Sequence, residues 1–242
     1  MNVKRGIMIS EIAFSNMPIL LKNAGLDFFI LDCEHGGFDY SNVSKIIVTA
    51  RLCGLFIIIR LANNQRKDII KFMDMGADGL LLPMTNSASD IKEVVKYAKY
   101  APLGERGIST MRAHTLYNPP SICEYTSEAN ARTKIYAQIE TKEGVANQEE
   151  ILSVEGVDGA FIGPNDLSAD YGCLQDGNAS DILLAIEQVG QTAKVLQKQA
   201  GIITTNTSYL QKAKESAFSL YSQGSELNAI FEYCKHIVEG EI

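Results

Sequence analysis

A short phrase that recurs along the chain constrains its fold more than any other feature of the sequence. In each copy a helix-like segment ends at a glycine, an aspartate or a small residue follows, and an apolar run begins: AGLDFFILD, MGADGLLLP and EGVDGAFIG. Glycine suits the left-handed residue that closes a helix, and a continuous apolar run suits a strand buried on both faces. The phrase therefore predicts helices alternating with buried parallel strands.

Apolar runs rich in Ile, Val, Phe and Leu recur along the chain, separated by longer segments with helical spacing. We predict eight strands at residues 6–9, 28–33, 56–61, 79–83, 135–140, 159–163, 201–205 and 217–221. Eight alternating units favour a closed barrel over an open sheet, and 242 residues are an ordinary length for one barrel. We expect an α/β fold, a (β/α)8 TIM barrel, as a single domain over residues 1–242.

The charge and the cysteine content argue against several classes of function. The formal net charge is −7 and Lys and Arg are not clustered, so we expect no nucleic-acid partner. Five cysteines without a CxxC pair fit free thiols in a reducing compartment better than disulfides or a thiolate zinc site. Apolar runs are too short for a membrane span or a signal-peptide core. We expect a cytoplasmic protein without membrane contact.

Two carboxylates stand where apolar runs stop. Glu140 closes the fifth run and Asp166 follows the sixth. Because neighbouring parallel strands end at the same catalytic face of a barrel, these two side chains should lie close together. Two carboxylates with water and a chelating substrate suit Mg²⁺ or Mn²⁺, whereas zinc prefers Cys or His. The alternative is that both acids cap helices, which Asp166 in particular could do.

Arg60 and His35 are further candidates at this face. Arg60 lies in the apolar stretch FIIIRLAN, where a charge is costly unless it is paired or functional. It could stabilise negative charge on an enolate oxygen, and the alternative is a buried ion pair with Asp32, Glu34 or Asp74. His35 follows two acids and could transfer a proton near neutral pH, although a lone His after a strand is more often a structural hydrogen-bond donor.

Other cofactor chemistry has little support in the sequence. Neither a GxGxxG phrase after a strand nor a Walker sequence occurs, and lysines are missing from the strand positions that a Schiff base would need. Residues 101–133 form a connection longer than usual, and long connections are often functional or intersubunit. We predict that the stretch 104–118 contacts the second substrate or a neighbouring subunit, with an ordinary surface loop as the alternative.

Several phrases, in their order and spacing, carry a family resemblance. They are FFILDCEHGGF, IIIRLANN, FMDMGADGLLLPM, YAPLGERG, AQIETKEGVAN and VEGVDGAFIGPNDLSADYG. Together they resemble the HpcH/HpaI aldolase family of metal-dependent (class II) pyruvate aldolases. The match runs from about residue 6 to residue 172 and more loosely to about residue 230. The resemblance implies a (β/α)8 barrel, a homo-hexamer built as a trimer of dimers, with its last helix exchanged between subunits.

The resemblance also implies roles for the residues of these motifs. Glu140 and Asp166 would hold the divalent metal, Mg²⁺ or Mn²⁺, with Co²⁺ possible. Arg60 would bind the keto oxygen of the substrate and stabilise the pyruvate enolate. Gln138 would flank the metal as a substrate-binding residue.

The remaining roles concern the proton and the carboxylate of the substrate. His35, with Asp74 close by, would serve proton transfer through a water molecule. In the turn from Gly163 to Asp166, the N–H groups of Asn165 and Asp166 would receive the pyruvate carboxylate at a helix N-terminus.

This chain also departs from the family pattern. It has no Trp, Leu61 stands where a Pro is frequent after the arginine, and YSQGSELN lacks the common Gly-x-Asp phrase near the last strand. These changes affect the substrate mouth and the last helix, whereas the metal and enolate residues are all present.

We therefore predict a metal-dependent aldolase that reversibly cleaves a 4-hydroxy-2-oxo (2-keto-3-deoxy) acid to pyruvate and an aldehyde. Its partners would be small molecules, a keto acid and an aldehyde. The first alternative is a citrate synthase-like condensing enzyme on the same scaffold. The second is a barrel retained only for binding or assembly.

Overall fold

The chain forms a closed barrel of parallel strands. The computed structural model describes residues 3–174, 176 and 179–240, so the two ends of the predicted domain, 1–2 and 241–242, lie outside the described residues. The eight strands follow one another around the barrel in sequence order, and β8 pairs with β1 to close it. The predicted (β/α)8 TIM barrel is confirmed.

The strands occur where the apolar runs predicted them, with one shifted. They are β1 (Lys4–Ile9), β2 (Phe28–Asp32), β3 (Phe56–Arg60), β4 (Gly79–Leu82), β5 (Lys134–Ile139), β6 (Gly159–Ile162), β7 (Gln199–Ile203) and β8 (Leu220–Ser225). The prediction of 217–221 for the last strand was wrong at its start. Ala217 has a φ of 63°, a left-handed turn that ends the preceding helix region, so the strand begins only at Leu220.

Helices surround the barrel and connect its strands. They are α1 (Met17–Asn23), α2 (Tyr40–Cys53), α3 (Arg66–Met75), α4 (Ala88–Ala98), α5 (Ile122–Arg132), α6 (Lys142–Ala146), α7 (Gln148–Leu152), α8 (Pro164–Tyr171), α9 (Ser180–Val195), α10 (Thr207–Glu215) and α11 (Glu226–Glu239), with a short 3₁₀ turn at Ala113–Thr115. In the part of the chain that the structure describes, none of these helices has the length and apolar character needed to cross a membrane.

The core has two layers because successive strand residues point to opposite faces. Alternate strand residues fill the barrel interior, where Phe161 meets the rings of Phe28 and Tyr136 edge on, at centroid distances of 6.3 and 5.3 Å. The other strand residues meet the apolar faces of the helices in a larger cluster. Burial on both faces explains why the strands have continuous apolar sequences, and it leaves the carboxyl ends of the strands as the place for polar groups.

The long connection between α4 and β5 lies at the amino-terminal face of the barrel, opposite the carboxyl ends of the strands. A buried polar cluster holds it there. Arg106 donates to Asp74 Oδ1 at 2.8 Å, and His114 contacts the Tyr125 hydroxyl and lies 3.0 Å from the Ser109 carbonyl oxygen. The stretch 104–118 therefore lies away from the catalytic face of its own chain, which leaves the neighbouring-subunit and surface-loop alternatives open.

Candidate active site

Glu140 follows β5 and is the most constrained carboxylate at the barrel mouth. It is 2% exposed, and each of its oxygens accepts one hydrogen bond. The backbone N–H of Met84 donates to Oε1 at 2.6 Å, and Gln138 Nε2 donates to Oε2 at 2.5 Å. The helix that follows is capped by Thr141, whose hydroxyl accepts the Gly144 N–H, so Glu140 is not its cap. Its carboxylate is instead held at the end of the barrel interior.

The electrostatic surroundings of Glu140 disfavour its negative charge. Burial raises its pKa to about 7; the Met84 hydrogen bond and Arg60 oppose this rise, and the charges of Asp166 and Glu34 add to it. A buried carboxylate in this state is stabilised as an anion by a nearby cation. Such a perturbed acid in a cleft is typical of functional sites.

The turn after β6 packs directly against this carboxylate. Gly163 is the N-cap residue of α8, and a Cβ atom on it would lie 2.6 Å from Glu140 Oε2 and 2.9 Å from Gln138 Nε2. Only glycine fits this approach. Asp166 lies in the first turn of α8 and is not the capping residue, so the capping alternative does not describe it. The turn thus brings Asp166 to the same end of the barrel as Glu140.

The donor set fits a hard divalent cation. Within residues 3–174, 176 and 179–240, no cluster of three His, Cys, Asp or Glu side chains has the arrangement of a metal site, so the protein offers two carboxylates. Mg²⁺ commonly binds through one or two carboxylates and completes its shell with water and substrate oxygens. The Gln138 Oε1 atom is buried without a hydrogen-bond partner, which adds an unused oxygen beside Glu140. Glu140 and Asp166 are therefore suitable ligands for Mg²⁺ or Mn²⁺.

Arg60 ends β3 inside a cage of carboxylates. Its Nε and Nη2 donate to Asp32 at 2.9 and 2.6 Å, and its Nη1 lies 3.2 Å from Glu34 Oε2. Burial alone would raise the pKa of Asp32, but the hydrogen bonds and the charge of Arg60 hold it below its ordinary value. Of the ion-pair partners considered for Arg60, the structure has Asp32 and Glu34 and does not have Asp74. The paired state is compatible with a role at the mouth, where the guanidinium also lies within the electrostatic reach of Glu140.

His35 lies beside this cage and is open to solvent. Its side chain is 74% exposed, and Nε2 is 3.9 Å from Glu34 Oε2. Asp32 Oδ1 accepts the backbone N–H groups of Glu34 and His35 at 3.0 and 3.3 Å, so the loop that carries His35 is anchored although its ring is free to face a substrate.

Asp74 does not lie near His35 in the same chain. It belongs to the last turn of α3, about 12 Å along the helix axis from Arg66 at the mouth. There it pairs with Arg106 at 2.8 Å, and His114 Nε2 is 3.9 Å away. The expected proximity of Asp74 to His35 is therefore not found within one chain, because α3 runs from the carboxyl to the amino-terminal face of the barrel.

Two features of the site were missed by sequence reasoning. Met84 contributes a backbone N–H from a left-handed conformation, with φ of 48°, and no side-chain type reports such a contact. Asp32 was considered only as one possible partner of Arg60, yet it also anchors the next loop. Its position at the end of the apolar run FFILD was the available signal, since a buried acid needs a partner.

A barrel with acids from β5 and the β6 turn facing an arginine from β3 defines a class of site suited to stabilising an enolate beside a divalent metal. The chain matches the family model described as HpcH/HpaI aldolase/citrate lyase over residues 14–232. The chain belongs to this family, and the resemblance inferred from its motifs is confirmed.

Curated relatives agree with this assignment. One is the hydroxypyruvate/pyruvate aldolase of Roseovarius nubinhibens, 30% identical over 208 residues, which are 86% of this chain and 80% of the relative. Another is the 4-hydroxy-2-oxo-heptane-1,7-dioate aldolase of Escherichia coli, 34% identical over 191 residues, which are 77% of this chain and 71% of the relative. These relatives are aldolases, so the predicted enzyme class, a carbon–carbon lyase, is confirmed.

Solved structures share the fold. The HpcH/HpaI aldolase from Desulfitobacterium hafniense superposes with a TM-score of 0.94 at 28% identity, covering 99% of this chain and 92% of that one. The citrate synthase SbnG superposes with a TM-score of 0.87 at 23% identity, covering 99% and 93%. The second likeness supports the fold alone.

Proposed function

We propose that this protein is a metal-dependent aldolase that reversibly cleaves a 4-hydroxy-2-oxo acid to pyruvate and an aldehyde. The observation that carries the proposal is the buried Glu140 carboxylate, whose pKa is raised to about 7 beside Asp166 and Arg60. A divalent cation at this position would offset the unfavourable negative charge. The aldolase relatives support the same reaction class.

In the proposed mechanism, Glu140 and Asp166 would hold Mg²⁺ or Mn²⁺, with Co²⁺ as a further candidate. When bound, the cation withdraws electrons from the keto carbonyl of the substrate. Arg60 adds a fixed positive charge beside the keto oxygen and stabilises the negative charge that develops when the carbon–carbon bond breaks. Gln138 orients Glu140 through its amide N–H and offers its free Oε1 to a water or substrate hydroxyl.

The first turn of α8 would bind the other end of the keto acid. The N–H groups of Asn165 and Asp166 point out of the helix start after Gly163, where a carboxylate is favoured by free donors and by the helix dipole. Held at both ends, the keto acid would present its C3–C4 bond toward the open side of the mouth.

Proton transfer would fall to His35. Its exposed ring, next to Glu34, could accept the proton of the 4-hydroxyl group through a water molecule as the aldehyde forms. Asp74 could assist only from a neighbouring copy of the chain, because it lies at the opposite end of its own barrel. This requirement links the proposed chemistry to assembly.

The last helix supports an oligomer. Its first residue, Glu226, is buried, whereas Ile230, Phe231, Ile237 and Val238 are 48%, 66%, 57% and 86% exposed. An apolar helix face of this extent is usually covered by a partner. We propose that α11 packs on, and is exchanged with, a second copy in a hexamer built as a trimer of dimers.

Two assays test the proposed reaction. With added Mg²⁺ or Mn²⁺ we expect pyruvate release from a 4-hydroxy-2-oxo acid, and exchange of the pyruvate methyl protons with deuterated solvent, which requires only enolate formation. Thioester-dependent condensation of oxaloacetate without either activity would favour the citrate synthase-like alternative. If replacing both Glu140 and Asp166 by Ala changed no metal-dependent activity, the chain would be a barrel for binding or assembly.

A further inference from the structure

Glu226 makes an unusual set of contacts at the barrel mouth. It is the first residue of α11 and is 7% exposed. Its carboxylate accepts three successive backbone N–H groups from the loop after β1, those of Ser10 at 3.0 Å, Glu11 at 2.6 Å and Ile12 at 2.9 Å. The Ser10 hydroxyl lies 3.4 Å from Oε2.

Three consecutive N–H groups turned toward one point form a concave site that favours an anion. Here the anion belongs to the chain itself. Burial alone would raise the pKa of Glu226, but the hydrogen bonds from Ile12, Glu11 and Ser10 keep it below its ordinary value, so the group is a carboxylate at neutral pH. A fixed negative charge therefore holds the loop after β1 in one shape.

This loop in turn packs on the segment that carries His35. A Cβ atom on Gly36 would lie 2.6 Å from the Ser10 carbonyl oxygen and 2.2 Å from that of Asp32, so the two loops are in direct contact and only glycine fits between them. Beyond Ser10 the loop presents Ile12 and Phe14 to solvent, 47% and 49% exposed. The loop thus lies on the same face as the metal-binding acids but borders the open side of the mouth.

The contacts divide the mouth into two halves. Glu140, Asp166 and Arg60 come from strand ends and the α8 turn, and none of them contacts Glu226. His35 and the Ser10–Phe14 loop border the side from which an aldehyde would enter or leave. A change at Glu226 should therefore reach the aldehyde half first.

We propose that Glu226 is a positioning residue for the aldehyde half of the reaction, which it serves by holding the Ser10–Phe14 loop and, through Ser10 and Gly36, the loop of His35. The inference rests on the proposed aldolase function. It assigns a role to the acid in Gly224-Ser225-Glu226, where the chain lacks the Gly-x-Asp phrase of its family.

The test compares Glu226→Ala with Glu226→Asp, using Glu232→Gln on the exposed part of α11 as the matched control. For Glu226→Ala we expect kcat/KM for cleavage of the hydroxy-keto acid, and for aldehyde addition to pyruvate, to fall about a hundredfold, because small misplacements of reacting groups have effects of this size. Exchange of the pyruvate methyl protons and Mn²⁺ affinity should match the wild type. Glu226→Asp should lie between the two, and Glu232→Gln should change nothing.

Added acetate provides a second readout. The space left in Glu226→Ala keeps its three N–H donors, so acetate should restore part of the cleavage rate in this variant and should not affect the wild type. A folded Glu226→Ala variant with unchanged cleavage, or with cleavage and proton exchange reduced equally and no response to acetate, would overturn the proposal. If Glu226→Ala fails to fold, the same comparison is made with Glu226→Asp, which must lose cleavage more than exchange. Absence of proton exchange in the wild type would instead reject the aldolase function.

Discussion

Two buried ionic clusters lie at opposite ends of the same barrel, and their charge balance differs. At the amino-terminal face, Arg106 pairs with Asp74 and Arg51 lies 3.5 Å from Asp78. His114 adds no charge there at neutral pH, because burial and the nearby Arg106 lower its pKa to about 4. Cations and carboxylates in this cluster are matched, as is usual for buried charges that stabilise a fold.

At the carboxyl ends of the strands the balance is lost. Four carboxylates, those of Asp32, Glu34, Glu140 and Asp166, surround the single guanidinium of Arg60. Folding alone would not favour this excess of negative charge. The comparison indicates that the mouth is shaped for a cation that the chain itself does not supply, whereas the opposite cluster is complete.

The largest expected effect is on the metal. Glu140→Gln keeps the side-chain volume and removes the charge, so we expect metal-dependent cleavage to fall by about a thousandfold, the upper end of what loss of one electrostatic stabiliser produces. Mn²⁺ affinity, measured by calorimetry or electron paramagnetic resonance, should weaken in parallel. Glu143→Gln, an exposed acid in the next helix, is the control and should leave both unchanged. Equal Mn²⁺ affinity in Glu140→Gln and wild type would break the comparison.

The two arginines should differ in what their loss costs. Arg60→Met leaves Asp32, only 1% exposed, without its partner, so we expect a loss of stability of about 3–5 kcal/mol and a fall in cleavage of about a hundredfold. Arg106→Met leaves the partly exposed Asp74, and we expect about 1 kcal/mol.

Urea denaturation measures both stabilities, and Mn²⁺ titration should be unaffected by Arg106→Met. A larger stability loss for Arg106→Met than for Arg60→Met would contradict the assignment of the buried, charge-critical pair to the mouth.

The pH dependence sharpens the charge argument. The folded pKa of Glu140, about 7, lies above its ordinary value of 4.5, so the folded metal-free protein holds a proton that the unfolded chain releases between these values. Stability of the metal-free protein should therefore be highest below this interval and fall as pH rises through it. Saturating Mg²⁺ should remove the decline, and metal affinity should weaken about tenfold for each pH unit below 7. Thermal melting with and without Mg²⁺ measures the effect; a metal-free melting temperature that rises over this interval would count against it.

The smallest effect is expected at the opposite cluster. Tyr125→Phe removes the hydroxyl that contacts His114 Nδ1, and we expect a loss of about 1 kcal/mol in stability. Metal affinity and pyruvate proton exchange should not change. A change in either would show that the amino-terminal cluster influences the mouth, and the separation of the two ends would have to be abandoned.

Patterns with a clear period or an obvious energetic cost were predictable from the sequence. Continuous apolar runs located the eight strands because strands buried on both faces need them. Glu140 and Asp166 were found because parallel strands end at one face. The shifted start of β8 was not foreseen, since the left-handed φ of Ala217 is set by the turn that precedes the strand and not by its apolar sequence.

Contacts made by backbone atoms or across long distances were beyond sequence reasoning. The Met84 N–H that holds Glu140 depends on a φ value, and its side-chain type is irrelevant to the contact. The separation of Asp74 from His35 follows from the direction of α3, which places the two ends of one helix on opposite faces of the barrel. Glu226 looked like part of a missing family phrase, and only its contacts with Ser10, Glu11 and Ile12 reveal what it holds.

The cage around Arg60 has one more consequence, for the energetics of substrate recognition. A free arginine side chain carries about 2 kcal/mol of rotational entropy, which ordering by a ligand would remove from the binding free energy. Here Asp32 and Glu34 already fix all three guanidinium nitrogens. The guanidinium has lost its freedom during folding, so an arriving keto acid meets a charge that is rigid before it binds.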